Sequence, residues 1–508
     1  MNYTPIIGLE IHCELKTKSK MFCSCPNGLG LEKEPNIHIC PVCTGQPGTL
    51  PVPNEQAIEY VIKAGLALNC HIPKQTRFDR KNYFYPDLPK GYQISQYEQP
   101  LCQNGYILLQ GNKKIKITRI HLEEDTGKLN HELQCENSLV DFNRAGVPLM
   151  ELVTEPGLRS SEEAKKFCQE LQKILRYIEI SDADMEKGQM RCEANISLLP
   201  EDMEEKMENL GTKVEIKNLN SFRSIQKAIE YEIKRQTQSL KEGKPVTQET
   251  RGWDEAKQIT YPQRVKEGAA DYRYFPEPDI PPITLCHDEK CNIHELCVSK
   301  IKTQIPELPA QKKLRFLEEY EMDPKDADII ITDKSIANYT EQMVSELAEW
   351  FSSLRKKKSS LPEWKKERKK ITKIATGWLV SKLFKLMKDH KTEIDACKIT
   401  PENFAELMML MYTKQINSQA GQMVLEEMFV TGADPEHVIQ EKNLTQLDDA
   451  DELQKIIEKV IQNNPLQIKE YKNGKPNVIQ FLLGQVMKES KGKANPKKTL
   501  EILKKNLD

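Results

Sequence analysis

The sequence predicts an α+β protein, with an antiparallel sheet in its first part and helices in its second. Up to about residue 292, several segments alternate apolar and polar residues with the period of two that is typical of strands. Beyond the proline-rich segment 276–282, apolar residues recur at helical spacing instead. We therefore expect domains at 1–292, 293–398 and 399–508, the last two all-helical.

The N-terminal segment has the alternation of a strand. Ile7, Leu9 and Ile11 occupy one set of alternate positions, and Glu10 and His12 occupy the other. Side chains on one face of a strand recur about every 6.6 Å, so Glu10 and His12 can line the same site.

Two closely spaced cysteine pairs follow this strand. They are Cys23 with Cys25 and Cys40 with Cys43, and a loop rich in Gly, Pro and Asn separates them. Four thiolates delivered by two such pairs are the donor set of a closed, structural zinc site. The alternative is four unrelated reduced cysteines, because the first pair has the less common CxC spacing.

Helix starts are recognisable at three places. Asn54 is a suitable N-cap for the apolar pattern that runs to Leu68, and Ser160 with Glu163 forms a capping box. Thr400 followed by Pro401 is a third helix start.

The segment 77–96 mixes aromatic residues, cations and turn formers. Aromatic rings can stack on a base while Arg80, Lys81 and Lys90 contact phosphates, which suits a nucleotide or the end of an RNA. The alternative is a packed turn with surface lysines.

Acidic residues cluster between residues 118 and 155. Before them, Ile115 and Ile117 alternate in one phase and Ile120 and Leu122 in the other, which indicates a β-bulge near residues 118–119. We expect this bulge to aim Glu124 inward.

Glu151 shares one face of a further strand with Leu149 and Val153. A carboxylate on an apolar face requires a cation, hydrogen-bond donors or a raised pKa. We therefore expect an oxygen-rich site of the magnesium type, with surface ion pairs as the alternative.

The overall charge excludes little, because 74 Lys and Arg balance 76 Asp and Glu over 508 residues. Cations are nevertheless concentrated in residues 355–373 and in residues 461–508, where a polyanion could bind, although solvated helical faces look the same. No long apolar run and no signal peptide is recognisable, so we expect a cytoplasmic protein that does not enter membranes.

Several motifs together resemble the B subunit of the GatCAB aspartyl/glutamyl-tRNA amidotransferase over essentially the whole chain. They include Gly-Leu-Glu-Ile-His at 8–12, Asp-Arg-Lys-Asn-Tyr-Phe-Tyr-Pro-Asp at 79–87, Leu-Glu-Glu-Asp-Thr-Gly-Lys at 122–128 and Asp-Phe-Asn-Arg-Ala-Gly-Val-Pro-Leu-Met-Glu at 141–151. The resemblance implies a sheet-built cradle, a helical domain and a tail domain similar to YqeY proteins that helps to grip tRNA.

The resemblance also implies a reaction. ATP would phosphorylate the side-chain carboxylate of Glu-tRNA(Gln) or Asp-tRNA(Asn), and ammonia from a glutaminase A subunit, braced by a small C subunit, would displace the phosphate. No P-loop or glutaminase-like Ser-Ser-Lys cluster is evident in the sequence, in agreement with this division of labour.

The residues of the predicted magnesium site and of segment 77–96 are the candidates for this reaction. His12, Glu124 and Glu151 would hold Mg²⁺, with Glu10 and Asp125 beside them, and Lys81 and Lys90 would contact phosphate or the tRNA end. The family usually has Asp at the position of Glu193 and Arg at the position of Leu199. The alternative function is a non-catalytic, zinc-stabilised tRNA scaffold that needs the basic tail but not His12, Glu124 or Glu151.

Overall fold

The computed structural model confirms the α+β class. It describes residues 2–29, 32–131, 137–204, 206–265, 272–288, 296–357, 363–442, 444, 450–472, 475, 477–490, 494 and 496–507. The chain forms two compact units, Met1–Leu308 and Pro309–Asp508. The three-domain division with boundaries after residues 292 and 398 stays a prediction.

Strands occur in the first unit. In chain order they are β1 (Tyr3–Glu14), β2 (Gln75–Thr76), β3 (Asp79–Asn82), β4 (Tyr92–Ser95), β5 (Cys102–Leu108), β6 (Lys114–Glu124), β7 (Lys128–His131), β8 (Ser138–Asp141), β9 (Pro148–Thr154), β10 (Met190–Pro200), β11 (Val214–Leu219), β12 (Glu249–Asp254), β13 (Ile259–Val265), β14 (Phe275–Pro276), β15 (Ile283–Cys286) and β16 (Leu296–Cys297). Eight of them form one sheet in the order β13-β12-β11-β10-β1-β9-β6-β5. Neighbouring strands in this sheet are antiparallel except β11 and β12.

Helices occur in both units. In chain order they are α1 (Glu55–Ala67), α2 (Ser161–Tyr177), α3 (Phe222–Lys241), α4 (Val298–Thr303), α5 (Pro309–Glu319), α6 (Pro324–Ile330), α7 (Lys334–Lys357), α8 (Trp364–Trp378), α9 (Phe384–His390), α10 (Pro401–Tyr412), α11 (Ser418–Thr431), α12 (Pro435–Glu441), α13 (Ala450–Asn463), α14 (Pro465–Lys472), α15 (Val478–Glu489) and α16 (Pro496–Leu507). The predicted caps are confirmed, since Asn54, Ser160 and Thr400 accept the backbone N–H groups of Ala57, Glu163 and Asn403.

The large sheet has one apolar face and one polar face. Ile7, Leu9 and Ile11 of β1 are buried in a core with apolar residues of α1, α2 and α3. The alternate residues Glu10 and His12 line an open cavity on the other side. Burying one face on helices leaves the other free to carry polar chemistry.

The bulge predicted in β6 is confirmed. The pairing of β6 with β9 shifts register between Ile117 and Arg119. Because of this shift, Ile115, Ile117, Ile120 and Leu122 all join the same apolar core despite their two phases.

The second unit is all-helical in its described part. One apolar core includes residues of α5 to α12 and extends from Phe316 to Leu444, and a separate core from Leu453 to Leu507 joins α13, α15 and α16. Lys491 and Lys493, part of the basic flank noted in the sequence, lie outside the described residues. No described helix combines the length and apolar character needed to span a membrane.

Glu406 in α10 should make the stability of the second unit depend on pH. The side chain is 5% exposed, and burial together with Asp434, Glu436 and Glu402 raises its pKa to about 7. A raised carboxyl pKa means that the folded state binds more protons than the unfolded state, so stability falls as pH rises from about 4.5 to about 7. We expect Glu406→Gln to raise the urea midpoint at pH 8 and to change it little at pH 4.5.

The matched control is Glu426→Gln, at an exposed position of α11. It should leave the midpoint unchanged at both pH values. An equal gain from Glu406→Gln at pH 4.5 and pH 8 would contradict an electrostatic origin.

Candidate active site and cysteine cluster

Three neighbouring strands place two histidines on either side of one carboxylate. In the sheet register His12 of β1 lies opposite Glu151 of β9, which in turn lies opposite His121 of β6. The Nε2 atoms of His12 and His121 lie 3.4 and 3.2 Å from Oε2 of Glu151. This row crosses the floor of a cavity of about 680 Å³ on the polar face of the sheet.

Two more carboxylates extend the row into a cluster. Glu10 lies two residues before His12 on the same strand face and also lines the cavity. Glu123 lies two residues after His121, with its carboxylate 3.7 Å from His12 and 3.8 Å from His121. Glu10, His12 and Glu151 form one group of potential metal ligands, and His121, Glu123 and Glu151 form a second that shares Glu151.

The expectation that Glu124 points into this site is wrong. Glu124 has the same parity as Ile120 and Leu122, so once the bulge turns those two toward the core, Glu124 turns with them. Its carboxylate accepts hydrogen bonds from Lys90 Nζ at 2.7 Å and from the backbone N–H of Ile94 at 3.0 Å. The structure thus brings Glu123 to the cavity and directs Glu124 away from it.

The cluster is highly charged. Burial lowers the pKa of His12, but its hydrogen bond with Glu151 and the carboxylates of Glu151, Glu123 and Glu10 outweigh burial and raise it to about 9. Burial also raises the pKa of Glu151, but His121 and His12 outweigh it and hold that pKa well below its usual range. Burial, with Glu151 next, raises the pKa of Glu10. A divalent cation would replace protons here.

Cations surround the acidic cluster. Burial opposes the charge of Lys81, but the carboxylates of Glu123 and Glu151 outweigh it and raise the pKa of Lys81 above its usual range. Asp125 accepts a hydrogen bond of 2.5 Å from Arg191, which also lines the cavity. The cavity therefore contains Lys81 and Asp125 as expected, whereas Lys90 is paired with Glu124 outside it.

Further along the cavity, Lys217 Nζ lies 2.8 Å from Glu193 and 3.5 Å from Glu215. The carboxylate at position 193 therefore has a cationic partner even with the longer glutamate side chain. Leu199 is buried near the end of β10, where it lies opposite Thr4 of β1.

Four tyrosines form a wall of the same cavity: Tyr83, Tyr97, Tyr272 and Tyr274. The rings of Tyr97 and Tyr274 stack with centroids 4.3 Å apart, and Tyr272 lies edge-on to both Tyr83 and Tyr274. The Lys81 ammonium lies 5.3 Å from the centroid of Tyr272. Aromatic and cationic groups therefore meet beside the acidic cluster.

The donor set fits a divalent cation. Carboxylate oxygens suit Mg²⁺ and Mn²⁺, and each group adds at least one histidine nitrogen, which Mn²⁺ accepts more readily than Mg²⁺. Glu123 repels Glu151 across the cluster, and in the described residues it is offset by Lys81, the two histidines and the hydroxyl of Ser95. A bound cation would reduce this repulsion further.

The four cysteines of the N-terminal pairs come together. The Sγ atoms of Cys23, Cys25, Cys40 and Cys43 all lie within 4.8 Å of one another, which is compatible with tetrahedral zinc. A hydrogen bond with Cys23 lowers the pKa of Cys43 to about 5, so one thiolate is already favoured. With four sulfurs and no open position, the cluster suits a structural metal.

A buried lysine ties this cluster to the sheet. Lys20 is fully buried, and its ammonium donates to the carbonyl oxygens of His38 at 2.8 Å and Phe142 at 3.2 Å and lies 3.9 Å from Cys43 Sγ. Cys23 and Cys43 line a second cavity of about 190 Å³, together with Lys90 and Glu124. The cysteine loop therefore lies close to the end of β6 that Glu124 occupies.

His121, Glu123 and Arg191 lie in the site although they are not among the site residues predicted from the sequence. After the bulge, Ile120 and Leu122 face the core, so the residues between and after them, His121 and Glu123, must face the opposite side of the sheet. The alternation of apolar residues could therefore have predicted both. Arg191 depends on the pairing of β10 with β1, where it lies opposite His12, and no local pattern predicts that register.

Comparison with known proteins identifies the family. Residues 5–290 match the family model described as the GatB/GatE catalytic domain, and residues 361–507 match the one described as the GatB domain. Over the full length of both chains, the protein is 48% identical to the B subunit of the aspartyl/glutamyl-tRNA(Asn/Gln) amidotransferase of Thermoanaerobacter pseudethanolicus. The proteins of the same name from Caldicellulosiruptor bescii and Thermotoga maritima are 47% and 44% identical, again over the full length of both chains.

The cysteine cluster should bind about one zinc ion per chain. We expect Cys40→Ser to abolish stoichiometric zinc, measured by mass spectrometry of the purified protein, because a four-thiolate site loses a ligand. Amide hydrogen exchange should then accelerate in residues 36–54. Cys397→Ser, at a similarly half-buried thiol of the second unit, should retain the zinc. Full zinc content in Cys40→Ser would contradict the assignment.

Proposed function

The chain belongs to the family of aspartyl/glutamyl-tRNA(Asn/Gln) amidotransferase B subunits, and we propose that it activates and amidates the aminoacyl group of mischarged tRNA. The substrates are Glu-tRNA(Gln), Asp-tRNA(Asn) or both, with ATP as co-substrate. The observation that carries this proposal is the row of His12, Glu151 and His121, flanked by Glu10 and Glu123, on the floor of an open cavity that also holds Lys81.

The reaction has two balanced steps. A side-chain carboxylate oxygen of the aminoacyl group attacks the γ-phosphorus of ATP, the bond to the β-phosphate oxygen breaks, and ADP leaves an acyl phosphate. The nitrogen of ammonia then attacks the acyl carbon, the bond to the phosphate oxygen breaks, and inorganic phosphate leaves with a proton from the ammonia. Phosphoryl transfer of this kind depends on positioning and charge neutralisation more than on a protein nucleophile.

The cluster is suited to hold Mg²⁺ or Mn²⁺ through Glu10, His12 and Glu151. Such an ion, when bound, neutralises phosphate charge and orients the phosphates. His121 holds Glu151 from the opposite side and fixes its orientation. Glu123 replaces Glu124 in our assignment because only Glu123 reaches the cluster.

The cations of the cavity take the role of phosphate ligands. Lys81 carries its charge on the wall beside Glu123 and is suited to a phosphate that enters the site. Arg191 is held by Asp125, so Asp125 acts by orienting a cation rather than by binding the metal. Lys90 and Glu124 together brace the segment around Ile94.

Partners complete the proposed enzyme. The relatives are named as B subunits, which implies companion subunits. We propose, as the resemblance implies, that an A subunit hydrolyses glutamine and that a C subunit braces the pair. The cysteine cluster with zinc would stabilise the loop against the sheet. The alternative function, a non-catalytic, zinc-stabilised tRNA scaffold, requires the basic tail but not His12, Glu124 or Glu151.

Glu151→Gln tests the catalytic function directly. The assay uses the complex with its A and C partners and free ammonium as the nitrogen source. We expect ATP-dependent amidation to fall on the order of 100-fold or more, because Glu151 belongs to both groups of potential metal ligands and loses its charge. Binding of tRNA should be retained. Glu170→Gln, on α2, is the control and should amidate normally. Normal amidation by Glu151→Gln would favour the scaffold.

Glu123→Gln and Glu124→Gln distinguish the two adjacent carboxylates. We expect Glu123→Gln to raise the Mg²⁺ or Mn²⁺ concentration needed for half-maximal activity by about 10-fold or more, and Glu124→Gln to leave that concentration unchanged. The two substitutions are chemically identical and one residue apart, so each controls for the other. The reverse pattern would contradict the side-chain directions in β6.

A further inference from the structure

Two adjacent aromatic side chains are displayed beside the cavity. Phe84 is 85% exposed, more than any other large apolar side chain in the described part of the chain, and Tyr85 is 60% exposed. They immediately follow Tyr83, which lines the cavity, so the Cα of Phe84 is about 3.8 Å from that of a wall residue. Neither ring has a role in the site described above.

The segment that carries these rings is firmly anchored. Asn82 at its start donates to the carbonyl oxygens of Tyr272 and Arg273. Beyond the rings, Leu88 is buried and its N–H donates to the carbonyl of Tyr85, while Asp87 accepts from the N–H of Gly127 and from the hydroxyl of Thr126. The exposure of Phe84 and Tyr85 is therefore built into the fold.

One side of the Phe84 ring lies against a glycine. Gly91 has a φ of +75°, and a Cβ added there would come within 3.2 Å of the ring. Because Gly91 has no side chain, one side of the Phe84 ring can lie against it. Most of the ring surface stays open to solvent. A supported ring with an open face is suited to stack on another flat group.

Cations and carboxylates both lie near these rings, since the carboxylate of Asp87 is on the same segment and Arg144 pairs with Asp125. Gly127, which donates to Asp87, is followed by Lys128 at the exposed start of β7. Arg144 donates to the carbonyl oxygens of both Thr126 and Gly127. A polyanion that reaches the cavity over this edge would meet cations beside aromatic rings, which is the combination that binds single-stranded nucleic acid.

We propose that Phe84 and Tyr85 form a stacking platform for the unpaired bases at the 3′ end of the tRNA substrate. The inference rests on the proposed function, because that reaction requires the aminoacyl group at the unpaired 3′ end to enter the cavity. Bases on the platform would place this end at the cavity mouth, with Lys128 near the phosphates. Inside the cavity, Tyr97 and Tyr274 already stack on each other, so each of these rings has one face covered, unlike the open ring of Phe84.

The test compares Phe84→Trp, Phe84→Leu and Phe84→Ala in the full complex, with two RNA probes. One probe is the intact deacylated tRNA, and the other lacks its unpaired 3′ nucleotides. We expect Phe84→Ala and Phe84→Leu to weaken binding of the intact tRNA by about 10-fold, and Phe84→Trp to retain it, because stacking requires a flat ring. The truncated tRNA should bind all variants equally, and the KM for ATP should not change.

Leu108→Ala is the matched control, since Leu108 is 52% exposed on β5 at the edge of the large sheet. It should bind both RNAs like wild type. Tyr85→Leu is an independent second variant. It should weaken binding of the intact tRNA but not of the truncated tRNA. The subunit composition of each complex is checked by size-exclusion chromatography.

Two outcomes overturn the proposal. Equal binding of the intact tRNA by wild type, Phe84→Leu and Phe84→Ala would show that the rings do not stack on the RNA. Loss of companion subunits in Phe84→Ala, with recovery in Phe84→Leu, would show that the rings contact protein instead. Because binding is measured without turnover, failure of the proposed reaction appears separately, as absent amidation by wild type.

Discussion

The burial of Glu151 between two histidines is the interaction on which the site depends. A carboxylate in the middle of a sheet is costly unless cations or donors face it, and His12 and His121 supply them from the two flanking strands. This arrangement requires that β1, β9 and β6 pair in one register. A slip of one residue in any of these strands would turn that strand's member of the row toward the apolar core.

The bulge in β6 is the second constraint on the site. Without the shift between Ile117 and Arg119, the apolar phase that begins at Ile115 would place His121 and Glu123 in the core. With it, the two adjacent carboxylates exchange faces, so that Glu123 instead of Glu124 faces the cavity. Glu123 joins the acidic row, while Glu124 binds Lys90 and the backbone of Ile94 beside the cavity next to the cysteine cluster. The bulge thus determines which carboxylate faces the cavity and which one binds Lys90 on the other face.

Sequence reasoning was sufficient wherever the signal is local. Alternation in β1 separated Ile7, Leu9 and Ile11 from Glu10 and His12, the change of phase located the bulge, and side-chain caps located the starts of α1, α2 and α10. It failed where a contact depends on which strands pair. The partnership of His121 with Glu151 and of Arg191 with Asp125 joins distant segments, and periodicity within one strand carries no information about its neighbour. Glu124 was misplaced for a different reason, since the parity of Ile120 and Leu122 had already assigned its direction.

The same separation of faces explains how a rigid scaffold can present a reactive cavity. The apolar face is held by three helices, and the cysteine cluster is held by Lys20, which donates to the carbonyl oxygen of Phe142 directly after β8. These contacts use no side chain of the acidic row, so the scaffold supports the row while like charges stay close together. The pKa of Glu10 stays raised by burial and by Glu151 although the histidines and Lys81 lower those of Glu123 and Glu151, so the ionised form of Glu10 would be favoured by further positive charge. A divalent cation would supply that charge, and the phosphates of the proposed substrate would then meet a less negative site.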